Sequence, residues 1–340
     1  MPPPHQGSLP ALVICVGMNA PAVTLRPVGS SGLSASVVGL GCNNFGRRID
    51  ADAAARVVHA SLDAGITFFD TADIYGGGRS EEYLGSALRG RRDGCVIATK
   101  FGGAMGDSPY QRGGSRRWIR LALEGSLRRL GVDWIDLYYL HFPDPAVPIE
   151  ETLGTLDDLV AEGKVRYAGA SNLAGWQIAD ADWAARSHEL APFVCAQNEY
   201  NLLVRDVERE VMPACIRFQL GLIPYFPLAM GALTGKYHRG EVPPPGTRLA
   251  VSPQSARHVL TDSNFDIIEA LHDFANDRDR SLVDIAIGWL AAQPQVASVI
   301  AGASTPEQVQ ANVRAATWVP TAADLAEIDR ITTRDPRPAA

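Results

Sequence analysis

Cysteine is scarce and unpaired in this chain. There are five, Cys15, Cys42, Cys95, Cys195 and Cys215, at wide spacings and without a Cys-x-x-Cys pair. An odd count in that arrangement excludes a disulfide framework and offers no zinc pattern, so no metal site is expected. Cys95 and Cys195 sit in apolar runs and read as small core residues, which suits a reducing cytoplasm. Basic charge is not in excess: 31 Lys and Arg are interleaved with 38 Asp and Glu, for a net charge of −7. That leaves no electrostatic footprint for nucleic acid. Long apolar runs are missing too. Residues 9–16 are apolar but fall far short of the roughly 20 residues a membrane span requires. No Lys or Arg precedes them to make an export signal. Neither membrane nor nucleic acid is expected as a partner. Residues 1–22 are expected to be a disordered extension, with Met18 near a more ordinary beginning, ahead of one domain over 23–335. No Gly-x-Gly-x-x-Gly stands between an early strand and helix, so a Rossmann unit is not expected.

What is present is a globular balance, 46% hydrophobic and 20% charged over 340 residues, enough for a substantial core. Eight short apolar runs, rich in β-branched residues, read as buried parallel strands: 37–41, 66–70, 95–100, 135–141, 165–171, 194–197, 222–225 and 296–302. Amphipathic helical stretches separate them, at 51–64, 80–88, 117–130, 150–162, 174–188, 207–218 and 282–293, with 306–315 after the last. Asp50 is placed to cap the first, and Pro306 opens the last where its missing N–H costs little. Repeated βα units imply a parallel sheet with helices outside, and eight imply a closed (β/α)₈ TIM barrel. The interval between strands seven and eight is much the longest. It holds a Pro/Gly-rich loop at 240–246 and an extra helix at 264–274, either a cover over a ligand or a surface insertion. Two β-prone pieces flanking residues 29–32 read as an N-terminal hairpin closing the bottom of the barrel.

The active site of such a barrel is built at the C-terminal strand ends. There the sequence places Asp70, then Tyr75 in the following loop, Lys100, His141, Ser171 with Asn172, Gln197, Tyr225 and Gly302. Any one of these has an ordinary structural explanation. Polar groups gathered at one end of otherwise apolar strands are harder to explain as packing, because each carries a desolvation cost unless partnered. A mechanism follows from the residue types. A tyrosine phenol, with a pKa of about 10, is a poor acid at neutral pH. A Lys100 cation beside Tyr75 is expected to lower that value. Asp70 would hold Lys100 charged and in place, His141 would orient a substrate carbonyl, and Tyr75 would donate the proton. Gly76-Gly-Gly78 reads as a flexible loop beside Tyr75.

These residues resemble the catalytic tetrad of the aldo-keto reductase family: Asp70, Tyr75, Lys100 and His141. The surrounding text agrees, in Gly65-Ile-Thr-Phe-Phe-Asp-Thr-Ala-Asp-Ile-Tyr75, Ile97-Ala-Thr-Lys100, Ile135-Asp-Leu-Tyr-Tyr-Leu-His141 and Gly163-Lys-Val-Arg-Tyr-Ala-Gly-Ala-Ser-Asn172. The resemblance spans about residues 24–330. It implies an oxidoreductase that passes hydride between a nicotinamide cofactor and a small carbonyl or alcohol substrate. It also implies a cofactor site. Gly41, Cys42 and Asn43 follow the first strand, and Asp70 follows the second. Ser171, Asn172 and Gln197 would bond the nicotinamide carboxamide, with Tyr225 stacked on its ring. The segment from Phe226 and Pro227 to Lys236 resembles a pyrophosphate loop, with contacts at Leu228, Gly231, Leu233 and Lys236, and Arg248 adds a phosphate contact. Gly302, Ser304, Gln308 and Asn312 would meet the adenosine phosphate, where a helix N-terminus suits an anion.

The chain departs from the family in places. Many members carry Arg or Lys where Gln308 stands, and that charge grips the 2′-phosphate of NADP. The similar potassium-channel β subunits keep Gln and hold NADP, so NADPH is expected, with NADH as the alternative. Leu173 replaces a frequent aromatic residue and Cys42 a frequent Thr. Phe45, Ile74, Phe101 and Phe142 lie near strand ends, where they either line a substrate pocket or pack the barrel top. Two other readings stay open: a sugar or alcohol dehydrogenase working oxidatively, and a nicotinamide-binding regulatory subunit.

Overall fold

The computed structural model describes residues 23–333. The N-terminal extension expected over 1–22, and the last two residues of the expected domain, lie outside them. Eight parallel strands alternate with helices: β3 (Val38–Gly41), β4 (Phe68–Asp70), β5 (Val96–Phe101), β6 (Ile135–Leu140), β7 (Val165–Ser171), β8 (Cys195–Gln197), β9 (Gly221–Leu222) and β10 (Val299–Gly302). They form one sheet in the order β10-β3-β4-β5-β6-β7-β8-β9. The sheet curls until its edges meet, for isolated parallel bridges join Leu222 to Val296 and Tyr225 to Ile300. Before them, β1 (Leu25–Pro27) pairs antiparallel with β2 (Ser34–Ser36). Val28 and Leu33 of the connection, with Ala35 of β2, pack with Phe68, Ala98, Leu137 and Ile300 of the barrel interior. Ser30 N–H donates to the Gln219 carbonyl just ahead of β9, so the pair sits at the N-terminal end of the strands.

The strands are short and apolar because both faces are covered. Their outer faces meet α1 (Ala51–Asp63), α2 (Arg79–Ala87), α3 (Arg116–Leu130), α4 (Ile149–Ala161), α5 (Gly175–Ser187), α6 (Val211–Phe218), α9 (Leu282–Ala292) and α10 (Pro306–Ala315). Side-chain caps start several of these helices: Asp50 accepts from Ala53 N–H, Ser115 from Trp118 N–H, and Thr305 from Gln308 N–H. In the long interval after β9 lie α7 (Pro253–Val259) and α8 (Asp262–Asn276), and α11 (Ala322–Thr332) ends the described chain. No helix among the described residues is long and apolar enough to cross a membrane.

Several expected boundaries move. The seventh strand ends at Leu222 rather than 225, because Pro224 has no N–H to give its neighbour, and Tyr225 rejoins only through a bridge. The eighth begins at Val299. The helix expected from 207 begins at Val211, after a short turn at Asp206–Glu208. The extra helix in the long interval runs over Asp262–Asn276, and α7 and α11 were not anticipated.

Register matters most for the site. Gly302 pairs with Gly41, Gly41 with Asp70, and Ser171 with Gln197. The polar strand ends therefore stand at one level around one rim.

Candidate active site

Lys100 is completely buried at the end of β5. Its Nζ donates to Asp70 Oδ1 at 2.6 Å and to the Thr71 carbonyl at 2.7 Å, and lies 5.0 Å from the centre of the Tyr75 ring. Gln197 Nε2 holds the other Asp70 oxygen at 2.8 Å. Burial opposes the Lys100 charge, but Asp70 and Tyr75 outweigh it and keep Lys100 above its usual value. A buried ammonium survives here because a carboxylate and a carbonyl both face it.

Tyr75 differs from expectation. Burial raises its phenol above the ordinary value, Lys100 pulls the other way without prevailing, and Asp70 adds to the rise. Desolvation of the phenolate outweighs the cation, so Tyr75 is a firmly protonated phenol. The glycines after it are not a loose loop. Gly76, Gly77 and Gly78 have φ of 61°, 67° and 94° in a tight turn. A side chain at Gly76 would strike the Phe45 carbonyl, and one at Gly78 the Arg129 side chain. Glycine is needed there, and the turn passes directly into α2.

His141 meets Tyr75 edge-on, with ring centres 5.8 Å apart, and stacks on Phe142 at 4.2 Å. Burial, helped by the Lys100 charge, lowers its pKa to about 2. The ring is neutral, with one nitrogen available as a donor. Asn172, in the left-handed region at φ 62°, ties the neighbourhood together. Its Nδ2 donates to the His141 carbonyl at 2.9 Å, and its Oδ1 accepts from Tyr225 Oη at 2.8 Å.

These groups border a cavity of about 890 Å³. Asp70, Tyr75, His141 and Phe142 form one side of it; Lys100 stands behind them and does not reach the surface. Gly41, Cys42 and Asn43 line it after β3, and Ser171, Asn172 and Gln197 after β7 and β8. Tyr225, Phe226, Pro227, Leu228, Gly231, Lys236 and Arg248 come from the segment after β9. Gly302, Ser304, Gln308 and Asn312 come from β10, the loop after it and α10. Four expected residues lie elsewhere. Leu233 and Phe45 are wholly buried in the outer core. Phe101 packs on Tyr138, because the residue after Lys100 points to the opposite face of the strand. Ile74 lies beside Gly103, where a Cβ would touch it.

The site also includes residues that no sequence pattern singles out, Arg48 and Asp73 among them. Arg48 lines the cavity, its Nη2 donating to the Gly246 carbonyl at 2.7 Å. Asp73, two residues before Tyr75, is completely buried. Its Oδ1 accepts from Ile74 N–H at 2.7 Å, while Oδ2 has no partner. Burial, reinforced by the Glu81 carboxylate, raises its pKa to about 7. Glu81 is itself engaged by Thr99 and by Arg129, each at 2.6 Å. Cys42 is buried and its thiol is pushed well up, mainly by desolvation, so it is not a nucleophile.

The segment after β9 is backbone-strained. Phe226, Ala229 and Met230 have φ of 53°, 45° and 56°, a region L-residues rarely occupy. Beyond it, α10 presents its N-terminus beside Ser304, where Gln308 Oε1 accepts from Ser304 N–H at 2.7 Å. The cavity thus combines a polar floor, aromatic walls, cations and a helix N-terminus, a chemistry that accommodates an extended, phosphate-bearing molecule.

The chain as a whole is similar to known proteins. The Aldo/keto reductase family profile matches residues 37–333. The chain is 37% identical over 303 residues (87% of this chain, 92% of the relative) to a protein of Oryza sativa subsp. japonica named probable voltage-gated potassium channel subunit beta. It is 35% identical over 312 residues (89% and 88%) to probable aldo-keto reductase 1 of Glycine max. It is 34% identical over 318 residues (90% and 91%) to the L-glyceraldehyde 3-phosphate reductase of Escherichia coli (strain K12). The chain belongs to the aldo/keto reductase family, carbonyl-reducing oxidoreductases that use nicotinamide cofactors.

Proposed function

We propose that this protein reduces aldehyde or ketone carbonyls with NADPH, Tyr75 being the general acid. The observation that carries the reading is the buried Asp70–Lys100 pair beneath the Tyr75 ring, 2.6 Å between charged atoms. Bound nicotinamide supplies the hydride. The chain's own residues do the rest. Neutral His141 donates a hydrogen bond to the carbonyl oxygen and fixes its direction. Tyr75 gives that oxygen its proton. The phenolate left behind would be costly in a desolvated site, and Lys100 compensates it at close range, with Asp70 and Gln197 keeping Lys100 in place. Lys100 therefore acts on the product state of the proton transfer rather than by making free Tyr75 acidic. Ser171, Asn172 and Gln197 are the polar groups for the carboxamide, and Tyr225 is the stacking ring. Lys236 and Arg248 meet phosphate, which favours NADPH over NADH. Phe142 is the substrate-facing aromatic.

The test follows loss of reduced-nicotinamide absorbance with an activated aromatic aldehyde. Tyr75→Phe is expected to cut turnover by a factor on the order of 10² or more with cofactor binding kept. Near-normal turnover would rule out Tyr75 as the acid. Relatives named as potassium-channel β subunits favour a second reading, a nicotinamide-binding regulatory subunit. Tight cofactor binding without turnover of any carbonyl or alcohol would select it.

A further inference from the structure

Asp73 is a buried carboxyl group that the proposed reaction leaves unused. With Glu81 and Thr99 it is completely buried, and none of the three lines the cavity. Its place in the chain is nonetheless close to the chemistry. The turn that carries Tyr75 is held at three points. Tyr75 N–H donates to the Ala72 carbonyl at 3.1 Å, and Asp73 N–H to the Lys100 carbonyl at 3.4 Å. Asp73 Oδ1 accepts from Ile74 N–H at 2.7 Å. The Ile74 side chain in turn fills the space beside Gly103. Asp73 thus links the two: its backbone is tied to Lys100, and its side chain to the residue before Tyr75.

The second carboxyl oxygen makes this anchor conditional. Oδ2 is buried and has no partner among the described residues. Such an oxygen costs less in a neutral acid than in an anion. Titratable groups face Asp73 from four elements: Glu81 of α2, Arg129 of α3, Lys100 of β5 and the Tyr138 phenol of β6. Both cations are committed. Arg129 Nε donates to Glu81 Oε2 at 2.6 Å, and Lys100 holds Asp70. Glu81 Oε1 accepts from Thr99. Burial, and then the Glu81 charge, bring Asp73 to a pKa of about 7, so both of its forms occur near neutral pH. An anion formed here gains by turning toward the Arg129 guanidinium. That side chain already runs against Gly78, where a Cβ would strike its Cδ. Turning toward it gives up the bond to Ile74 N–H.

We propose that Asp73 is a positioning residue for Tyr75: protonated, it holds the turn that sets the phenol beside Lys100; ionised, it leaves Ile74 for Arg129 and lets the phenol shift, so that carbonyl reduction slows as Asp73 loses its proton. The proposal rests on Tyr75 as the general acid. His141 does not produce the same dependence, because its pKa of about 2 leaves the ring neutral throughout.

Two readouts test it. In the first, protein carrying carbon-13 at the tyrosine Cζ is titrated from pH 5 to pH 8 by NMR, the Tyr75 resonance being identified by its loss in Tyr75→Phe. In wild type that resonance should move with a midpoint near pH 7. In Asp73→Asn, which keeps an oxygen for Ile74 N–H and never ionises, it should stand still. In the second, the single-turnover rate of NADPH oxidation by an activated aromatic aldehyde is followed over the same range. The wild-type rate at pH 8 should be about tenfold below that at pH 5, and the Asp73→Asn rate should change less than about twofold. Glu81→Gln removes the neighbouring negative charge and should carry both midpoints to lower pH. A Tyr75 resonance that is still in wild type, or that moves alike in Asp73→Asn, overturns the proposal, and so does a wild-type rate profile retained by Asp73→Asn. A protein that turns over no carbonyl counts against the reductase reading alone, and the tyrosine resonance then decides the role of Asp73.

Discussion

Asp73→Asn should stabilise the protein at pH 8 more than at pH 5. Asp73 has an ordinary value of 3.8 and a folded value of about 7. Its folded pKa is raised, so the folded state binds the extra proton and ionisation opposes folding. The cost is absent at low pH and grows as pH rises from 3.8 towards 7. Linkage puts it at roughly 1.7 kcal/mol at pH 5 and roughly 4 kcal/mol at pH 8. Asparagine keeps an oxygen for Ile74 N–H and never ionises. Any fixed gain or loss from the swap cancels between the two pH values. The remaining difference, about 2–3 kcal/mol, is the expected signal. Urea unfolding of both proteins at pH 5 and pH 8 reads it directly, from midpoints at constant slope. The same increment at both pH values would refute the reasoning and mean that Asp73 stays ionised across the range, neutralised by Arg129 and Lys100.

His141→Gln should show the opposite pH dependence. Its folded pKa of about 2 is depressed from 6.5, so the stability it contributes is present above 6.5 and lost as pH falls, by about 2 kcal/mol at pH 5; an equal effect of the substitution at pH 5 and 8 would show that the ring is not held neutral. Lys100→Met should lower stability by about 3–5 kcal/mol by stranding buried Asp70, and a thermal midpoint close to wild type would contradict it. Lys236→Gln with Arg248→Gln should weaken NADPH much more than NADH in fluorescence titration; equal weakening would show that these cations do not read the 2′-phosphate.

Asp73 and His141 also show where sequence reasoning stops. The ends of β4, β5, β6 and β8 were legible because a polar residue closing an apolar strand stands out, and parallel register brings such ends to one level. Burial was not legible. Whether Lys100 wins over desolvation at Tyr75 depends on how fully the site is enclosed, and the enclosure comes from distant segments. Asp73 lies two residues before Tyr75 in sequence, yet its raised value comes first from burial and then from Glu81 in α2. Phe101 could have been excluded by strand parity, since Lys100 already faces the rim. Phe45 and Leu233 could not, because both faces of a barrel strand are covered and apolar residues near its ends pack either way. Arg48 reaches the cavity only through the fold of the long loop against it, which no local pattern encodes.

The left-handed backbone at Phe226, Ala229 and Met230 bears on how the protein would respond to selection. Each such residue costs about 1–2 kcal/mol relative to glycine. A screen for heat resistance alone would therefore find glycine at these positions early, and would report improvement. The improved proteins would have a more pliable segment after β9, and would need to order it each time a ligand arrived. Thermal tolerance and ligand grip are thus set against each other at three positions within one short segment, and selection for one should be visible as erosion of the other.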